Sequence, residues 1–167
     1  VYKRQEQKNT QLEEAKMLDT NLDVEKLKKL QFKIMKDVAA SALIPLMRIG
    51  DQLGLFQTLS EKGPMTSKRF AEEAKVDERY LREWLYALSA TDFVSYDGEK
   101  EEFSLSPEQK AVFADEEGPA NMLGAYEVLA GQVYAEEKVL EAFKTGNGVA
   151  YENACPLCFT GTARFFK

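Results

Sequence analysis

The stretch DERYLREWLYALSATDFVSYD, Asp77 to Asp97, constrains the fold of this chain more than any other. Asp77 is placed to cap a helix that runs through Trp84 to about Thr91 and passes straight into a strand. Leu81, Trp84, Leu85 and Leu88 follow at i, i+3, i+4 and i+7 spacing, so one helical face must be buried. After the charged DGEKE loop, EFSLS supplies a second strand. The spacing predicts a hairpin pairing Phe93–Tyr96 with Glu102–Leu105, with Asp97-Gly98 as the turn signal. Two helices precede this unit. One is short, runs through Leu55, Phe56 and Leu59, and is closed by Gly63-Pro64. The other is capped by Thr66 or Ser67 and buries Phe70, Ala71 and Ala74, with a tight turn at Lys75-Val76 leading to Asp77.

Three helices feeding a short hairpin make the plan of a winged helix-turn-helix. The expected class is therefore mainly α, with this element flanked by a long N-terminal helix and by C-terminal helices. Such folds either read DNA or pair protein subunits, and charge separates the two uses. The chain carries a net charge of −6 with a pI of about 4.9. Residues 66–104 hold six cations (Lys68, Arg69, Lys75, Arg79, Arg82, Lys100) against ten carboxylates. A DNA-reading surface needs Lys and Arg against phosphates, so no nucleic-acid partner is expected.

Residues 1–36 carry nine Lys/Arg against six Asp/Glu. Residues 1–22 are polar and weakly periodic, and read as a flexible or frayed helical arm. Asp23 is a plausible cap for a helix in which Val24, Leu27, Leu30, Ile34 and Val38 recur at helical spacing. The pattern continues through Ala42, Leu46, Ile49 and Leu53 to a stop at Gly54. Pro45 predicts a kink or break near Ser41–Ile44, since proline removes a hydrogen bond and clashes with the preceding turn. So long an apolar face exceeds what a small domain buries, and implies packing on another chain, most simply as a homodimer through the N-terminal helices. Lys26, Lys29, Lys33 and Lys36 share a separate side; a solvated face explains them more simply than an anionic partner.

Beyond the hairpin, Ser106 caps a helix with Pro107 at its first position, ending near Asp115. Ala120 to Lys144 reads as one helix burying Met122, Leu123, Tyr126, Leu129, Val133, Leu140 and Phe143, stopped by TGNG. Val149–Lys167 reads as loop leading into a further helix. The resulting layout is an arm over 1–22, a winged-helix dimerisation domain with a long first helix over 23–106, and a helical linker region over 107–167. No apolar run approaches the roughly eighteen residues of a membrane span, and no signal peptide is evident. A cytoplasmic protein with no membrane partner is expected.

The chain has two cysteines and no histidine. That excludes nucleophilic catalysis with a histidine base and any histidine metal ligand. Cys155-Pro156-Leu157-Cys158 has the spacing of a redox pair or half a zinc site. A zinc site needs two more ligands and a thioredoxin-like site a strand-to-helix context, so the spacing reads as incidental. Gly146-Asn147-Gly148 follows a helix, as a stop does, where a phosphate loop would follow a strand. Glu116-Glu117 and Glu136-Glu137 are adjacent pairs whose members do not face each other on a helix. No metal site and no catalytic residue is expected.

LGLFQTLSEKGPMTSKRFAEEAKVDERYLREWLYALSATDFVSYD, then FSLSPEQKAVFADEEGPA, EAFKTGNGVAY and FTGTARFF, resembles the N-terminal winged-helix region of a bacterial-type family of class I S-adenosylmethionine-dependent methyltransferases. The resemblance covers roughly residues 34–166, and DERYLREWL is its most specific part. It implies dimerisation and covering of the substrate pocket by this region. The methyl transfer belongs to a Rossmann-like domain that begins after the segment resembling GTARFF. The chain stops there, on exposed paired phenylalanines, and is expected to be a partial sequence. By the resemblance the full-length protein uses S-adenosylmethionine and a small-molecule methyl acceptor, while this chain alone binds no cofactor. Tyr151, Phe159, Arg164, Phe165 and Phe166 are implied to lie near the pocket mouth. The rival readings are a stand-alone winged-helix transcription regulator and a truncated paralogue that pairs with a full-length enzyme.

Overall fold

The computed structural model describes residues 22–167. The chain divides into two compact units, one ending at Ala42 and the other spanning Leu43–Lys167. The arm expected over residues 1–22 lies, but for its last residue, outside the described residues.

In the first unit, α1 (Val24–Ser41) starts where expected. The Asp23 carboxylate accepts from the Glu25 and Lys26 N–H groups at 3.0 and 3.1 Å, satisfying two donors that a helix start leaves open. No residue of α1 is buried, and Leu30, Phe32, Ile34, Met35 and Val38 are each at least half exposed. Lys26 pairs with Asp23 and Lys33 with Asp37, as on a solvated face.

The helix breaks at Ala42, and α2 (Leu43–Gln52) then carries Pro45 in its first turn, where a missing N–H costs nothing. Gly54, at φ 63°, separates α2 from α3 (Leu55–Lys62). Thr66 caps α4 (Ser67–Ala74) by accepting from the Arg69 N–H. Asp77 caps α5 (Glu78–Ser89) by accepting from the Tyr80 N–H at 3.3 Å.

The helix of the opening motif stops at Ser89 instead of Thr91, and the strand begins only at Ser95. Asp92 in the intervening turn has φ 60°, and the Phe93 N–H folds back onto the Leu88 carbonyl at 2.9 Å. Both features turn the chain sharply before it extends, so the direct helix-to-strand passage does not occur. Strand β1 (Ser95–Asp97) pairs antiparallel with β2 (Glu102–Ser104) in the register Ser95↔Ser104, Tyr96↔Phe103 and Asp97↔Glu102. This hairpin is shorter than expected, and neither Phe93 nor Leu105 joins it. Met65 adds an isolated antiparallel bridge, exchanging hydrogen bonds of 3.1 and 2.8 Å with Phe103.

One core fills the space between these elements. Met47, Phe56, Leu59, Phe70, Leu81, Trp84, Leu85, Leu88 and Phe103 are all buried. Phe56 stacks at 5.3 Å on both Trp84 and Phe113, and Trp84 Nε1 donates to the Leu46 carbonyl at 2.8 Å. Gly50 permits this packing: a Cβ there would stand 2.5 Å from the Trp84 ring. Ser106 opens α6 (Pro107–Phe113) with a full capping box to Gln109.

The stretch read as one helix over 120–144 is two, α7 (Leu123–Tyr134) and α8 (Glu136–Thr145), meeting at Ala135. Its predicted buried face is corrected as well. Met122, Leu129, Val133, Leu140 and Phe143 are exposed, while α7 buries Leu123, Gly124, Glu127 and Gly131. The reason is close helix contact with α9 (Pro156–Phe165). A Cβ on Gly124 would lie 2.6 Å from the Gly161 carbonyl oxygen, and one on Gly161 would lie 2.7 Å from the Gly124 oxygen. The seam therefore selects small residues, and the larger apolar ones face outward. Gly146 stops α8 in the left-handed conformation, φ 75°.

Candidate functional site

α9, its C-cap Phe166 and the turn before it carry all five residues expected near a pocket, and the fold distributes them to three places. Tyr151, in the short 3-10 turn Tyr151–Asn153, is exposed and packs its ring 4.5 Å from Phe159. Phe165 and Phe166 meet edge to face at 5.0 Å. Together with Ala125, Val128, Leu129 and Thr162 they line an apolar cavity of about 280 Å³. Arg164 faces elsewhere.

Its guanidinium donates to both oxygens of Asp51, at 2.7 and 3.0 Å, and to Glu127 Oε2 at 3.1 Å. The Asp51 and Glu127 side chains retain only 13% and 12% of their exposure. Thr160 donates its hydroxyl to the other oxygen of Glu127. The Asp51 hydrogen bonds hold the Arg164 pKa above the ordinary guanidinium value, partly opposed by burial, with Glu127 reinforcing the rise. The bidentate geometry matches the fork of arginine to a carboxylate. The cluster borders a polar pocket of about 510 Å³ whose other walls include Arg48, Gln52, Glu116 and Leu157.

Asp51 and Glu127 escaped the sequence reading. Glu127 had a usable signal, being the one charge in the apolar run MLGAYEVLAGQV; a lone carboxylate there must face water or find a cation. Asp51 had none, because its partner lies 113 residues away. A third lining, of about 570 Å³, is apolar and contains Ile44, Leu129, Val133, Val139, Leu140 and Phe143. Among the described residues no group of three or more Cys, Asp and Glu side chains is placed to hold a metal ion. No helix among them is long and apolar enough to cross a membrane.

The surface of α5 and the wing completes the picture. Arg82 is engaged by Glu78 at 3.1 Å, and Lys100 by Asp97 at 3.4 Å. Asp97 also accepts from the Lys100 and Glu99 N–H groups, which hold its carboxyl below the usual range. Two of the cations that a DNA-reading surface would extend toward phosphate, Arg82 and Lys100, are thus tied to neighbouring carboxylates.

Residues 39–114 match the family described as the Rv2258c-like winged HTH domain. This part of the chain is a winged helix-turn-helix domain. A search of curated protein sequences found no match. Several solved structures share the fold around this winged HTH domain, and they are methyltransferases. Mitomycin 7-O-methyltransferase aligns with a TM-score of 0.63 at 17% identity, over 86% of this chain and 45% of that one. Human N-acetylserotonin methyltransferase, solved with S-adenosylmethionine, aligns with a TM-score of 0.58 at 15% identity, over 80% and 41%. The N,N-8-amino-8-demethyl-D-riboflavin dimethyltransferase of Streptomyces davawensis gives 0.56 at 21% identity, over 83% and 42%. The chain thus spans less than half the length of each of these enzymes. Its winged HTH domain has the fold found in them.

Their cofactor chemistry does not transfer to the described residues. A nucleotide-type cofactor is held where a parallel strand passes through a glycine-rich turn into a helix. The strands described here form one antiparallel hairpin, and Gly146 and Gly148 follow a helix.

Proposed function

We propose that this chain is the N-terminal dimerisation and substrate-cover module of an S-adenosylmethionine-dependent methyltransferase, without catalysis of its own. The observation that carries this reading is a winged helix whose wing is acidic and whose Arg82 and Lys100 are paired with carboxylates, in a fold shared with methyltransferases. Such a surface is poor at neutralising phosphates and suited to protein packing. The exposed apolar stripe of α1, Leu30 to Val38, supports a homodimer through the N-terminal helices, because uncovered apolar patches of this kind mark partner surfaces. The winged-helix dimerisation domain is proposed to extend over residues 23–106. Residues 107–167 then form the helical linker region toward a catalytic domain.

In the full-length protein, that domain binds S-adenosylmethionine and a small-molecule methyl acceptor, in the cytoplasm. By this reading the two aromatic pairs, Tyr151 with Phe159 and Phe165 with Phe166, and separately Arg164, lie near the pocket mouth and exclude water from the reacting groups.

Calorimetric titration with S-adenosylmethionine tests the division of labour: this chain should give no heat of binding, and saturable heat overturns it. Titration with duplex DNA at low salt tests the regulator reading, which salt-dependent binding would revive. Light scattering should return the mass of a dimer.

A further inference from the structure

The thiols of Cys155 and Cys158 stand in a local geometry that the spacing alone does not reveal. Cys155 is the N-cap of α9 and Pro156 its first residue. The Cys158 N–H donates to the Cys155 carbonyl at 2.9 Å, closing the first turn between the two cysteines. Three residues of helical rise and rotation set two Cα atoms about 5 Å apart. That lies inside the span of roughly 4.4–6.8 Å that a disulfide bridges without backbone movement.

Both residues are half-buried free thiols, and their surroundings differ. Cys158 Sγ lies against α7, 2.6 Å from where a Cβ on Gly131 would be, so one side of it is shielded. The Cys155 side chain makes no capping hydrogen bond.

We propose that Cys155 and Cys158 are a reversible redox pair, closed to an intrachain disulfide by a low-molecular-weight disulfide. The Cys155 thiolate attacks one sulfur of that oxidant, forming a mixed disulfide and expelling one thiolate. Cys158, deprotonated, then attacks the Cys155 sulfur, forming the intrachain bond and releasing the second thiolate. Two protein thiols are oxidised by two electrons, the oxidant is reduced to two thiols, and the protein's two protons pass to the leaving thiolates. The site is a modification site on the first turn of the helix that carries Arg164. It is independent of any methyl transfer.

The test uses the intact folded chain and glutathione disulfide as probe, read by thiol titration and mass spectrometry. The native chain should lose both titratable thiols without gaining a glutathione adduct or an interchain bond, and dithiothreitol should restore both. Cys158→Ser should accumulate a stable glutathione adduct at Cys155, because the resolving thiol is gone. The proposal is overturned if both thiols persist in the native chain and oxidise only in urea. It is equally overturned if the wild-type chain stops at the mixed disulfide. The wild-type arm requires no variant, so a folding defect in the serine form leaves the test intact.

Discussion

Arg164 grips Asp51 across 113 residues of chain, with two N–H groups on the two oxygens of one carboxylate. Its third bond, to Glu127, joins α2, α7 and α9 at one side chain. Arg164→Met keeps much of the apolar stem and removes all three bonds, leaving two nearly buried carboxylates without their cation. Full burial would make that loss worth about 3–5 kcal/mol. The arginine side chain is 35% exposed, so solvent screening reduces the expected loss to about 2 kcal/mol. Urea denaturation should register it, and thermal unfolding should show a fall in Tm of roughly 4–8 °C. Asp51→Asn should cost less, because Glu127 still holds the guanidinium.

The contact between Gly124 and Gly161 makes a sharper prediction. A methyl on Gly161 meets backbone atoms of α7, the Gly124 oxygen and the Val128 nitrogen, each 2.7 Å away. Backbone cannot rotate aside as a side chain can, so the helices must part. Gly161→Ala should therefore destabilise by about 1–3 kcal/mol as overpacking does, although alanine is the better helix former. Hydrogen exchange should show faster opening of residues 156–165, with the amides of α3 to α5 unchanged.

These two cases mark what a sequence discloses and what it hides. Caps and stops are local, so Asp23, Thr66, Asp77 and Ser106 all announce their helices, and Gly54 and Gly146 announce ends. The period of Leu81, Trp84, Leu85 and Leu88 reports a face packed against other large side chains. The same rule fails on α7, because a helix lying against another helix at glycine distance buries its smallest residues. Periodicity weighted by side-chain size then points to the wrong face. The Asp51–Arg164 pair leaves no periodic trace at all. The winged helix was thus readable from local chemistry, whereas the cluster around Arg164 depended on a meeting that only the fold arranges.

Trp84 joins packing and a polar bond in one residue, and two variants separate them. Trp84→Ala should cost about 3–5 kcal/mol as a large-to-small core change. Trp84→Phe retains most of the ring contact with Phe56 but leaves the Leu46 carbonyl without its 2.8 Å donor. It should cost about 1–3 kcal/mol. Guanidinium unfolding of both variants checks the ordering, and equal losses would mean that the ring packing carries little beside the hydrogen bond.

The wing should respond to acid. Asp97 accepts from the Lys100 and Glu99 N–H groups, which hold its carboxyl below the usual carboxylate range. A depressed carboxylate contributes stability that is present above its unfolded value, near 3.9, and is lost as pH falls through the folded value. Exchange of the Glu99 and Lys100 amides should therefore accelerate, relative to other amides, below about pH 4. In Asp97→Ala the same amides should already exchange fast at neutral pH and show no such step. A wild-type wing that stays equally protected through that range would show that the turn is held by the strands instead.

The apolar stripe of α1 yields the prediction on which the proposed assembly depends. Phe32 and Val38 are each more than 60% exposed in the single chain, so replacing them removes no packing from within it. Phe32→Glu with Val38→Glu should leave the circular dichroism and the unfolding of the winged HTH domain almost unchanged. A carboxylate carried into an apolar interface must be desolvated without a partner, which costs several kcal/mol. A dimer built on this face should therefore fall to the mass of one chain in light scattering at concentrations where the wild type remains paired. If the double variant keeps the dimer mass, the subunits meet through another surface, and the outward-facing residues Val133, Leu140 and Phe143 of α7 and α8 become the next to replace.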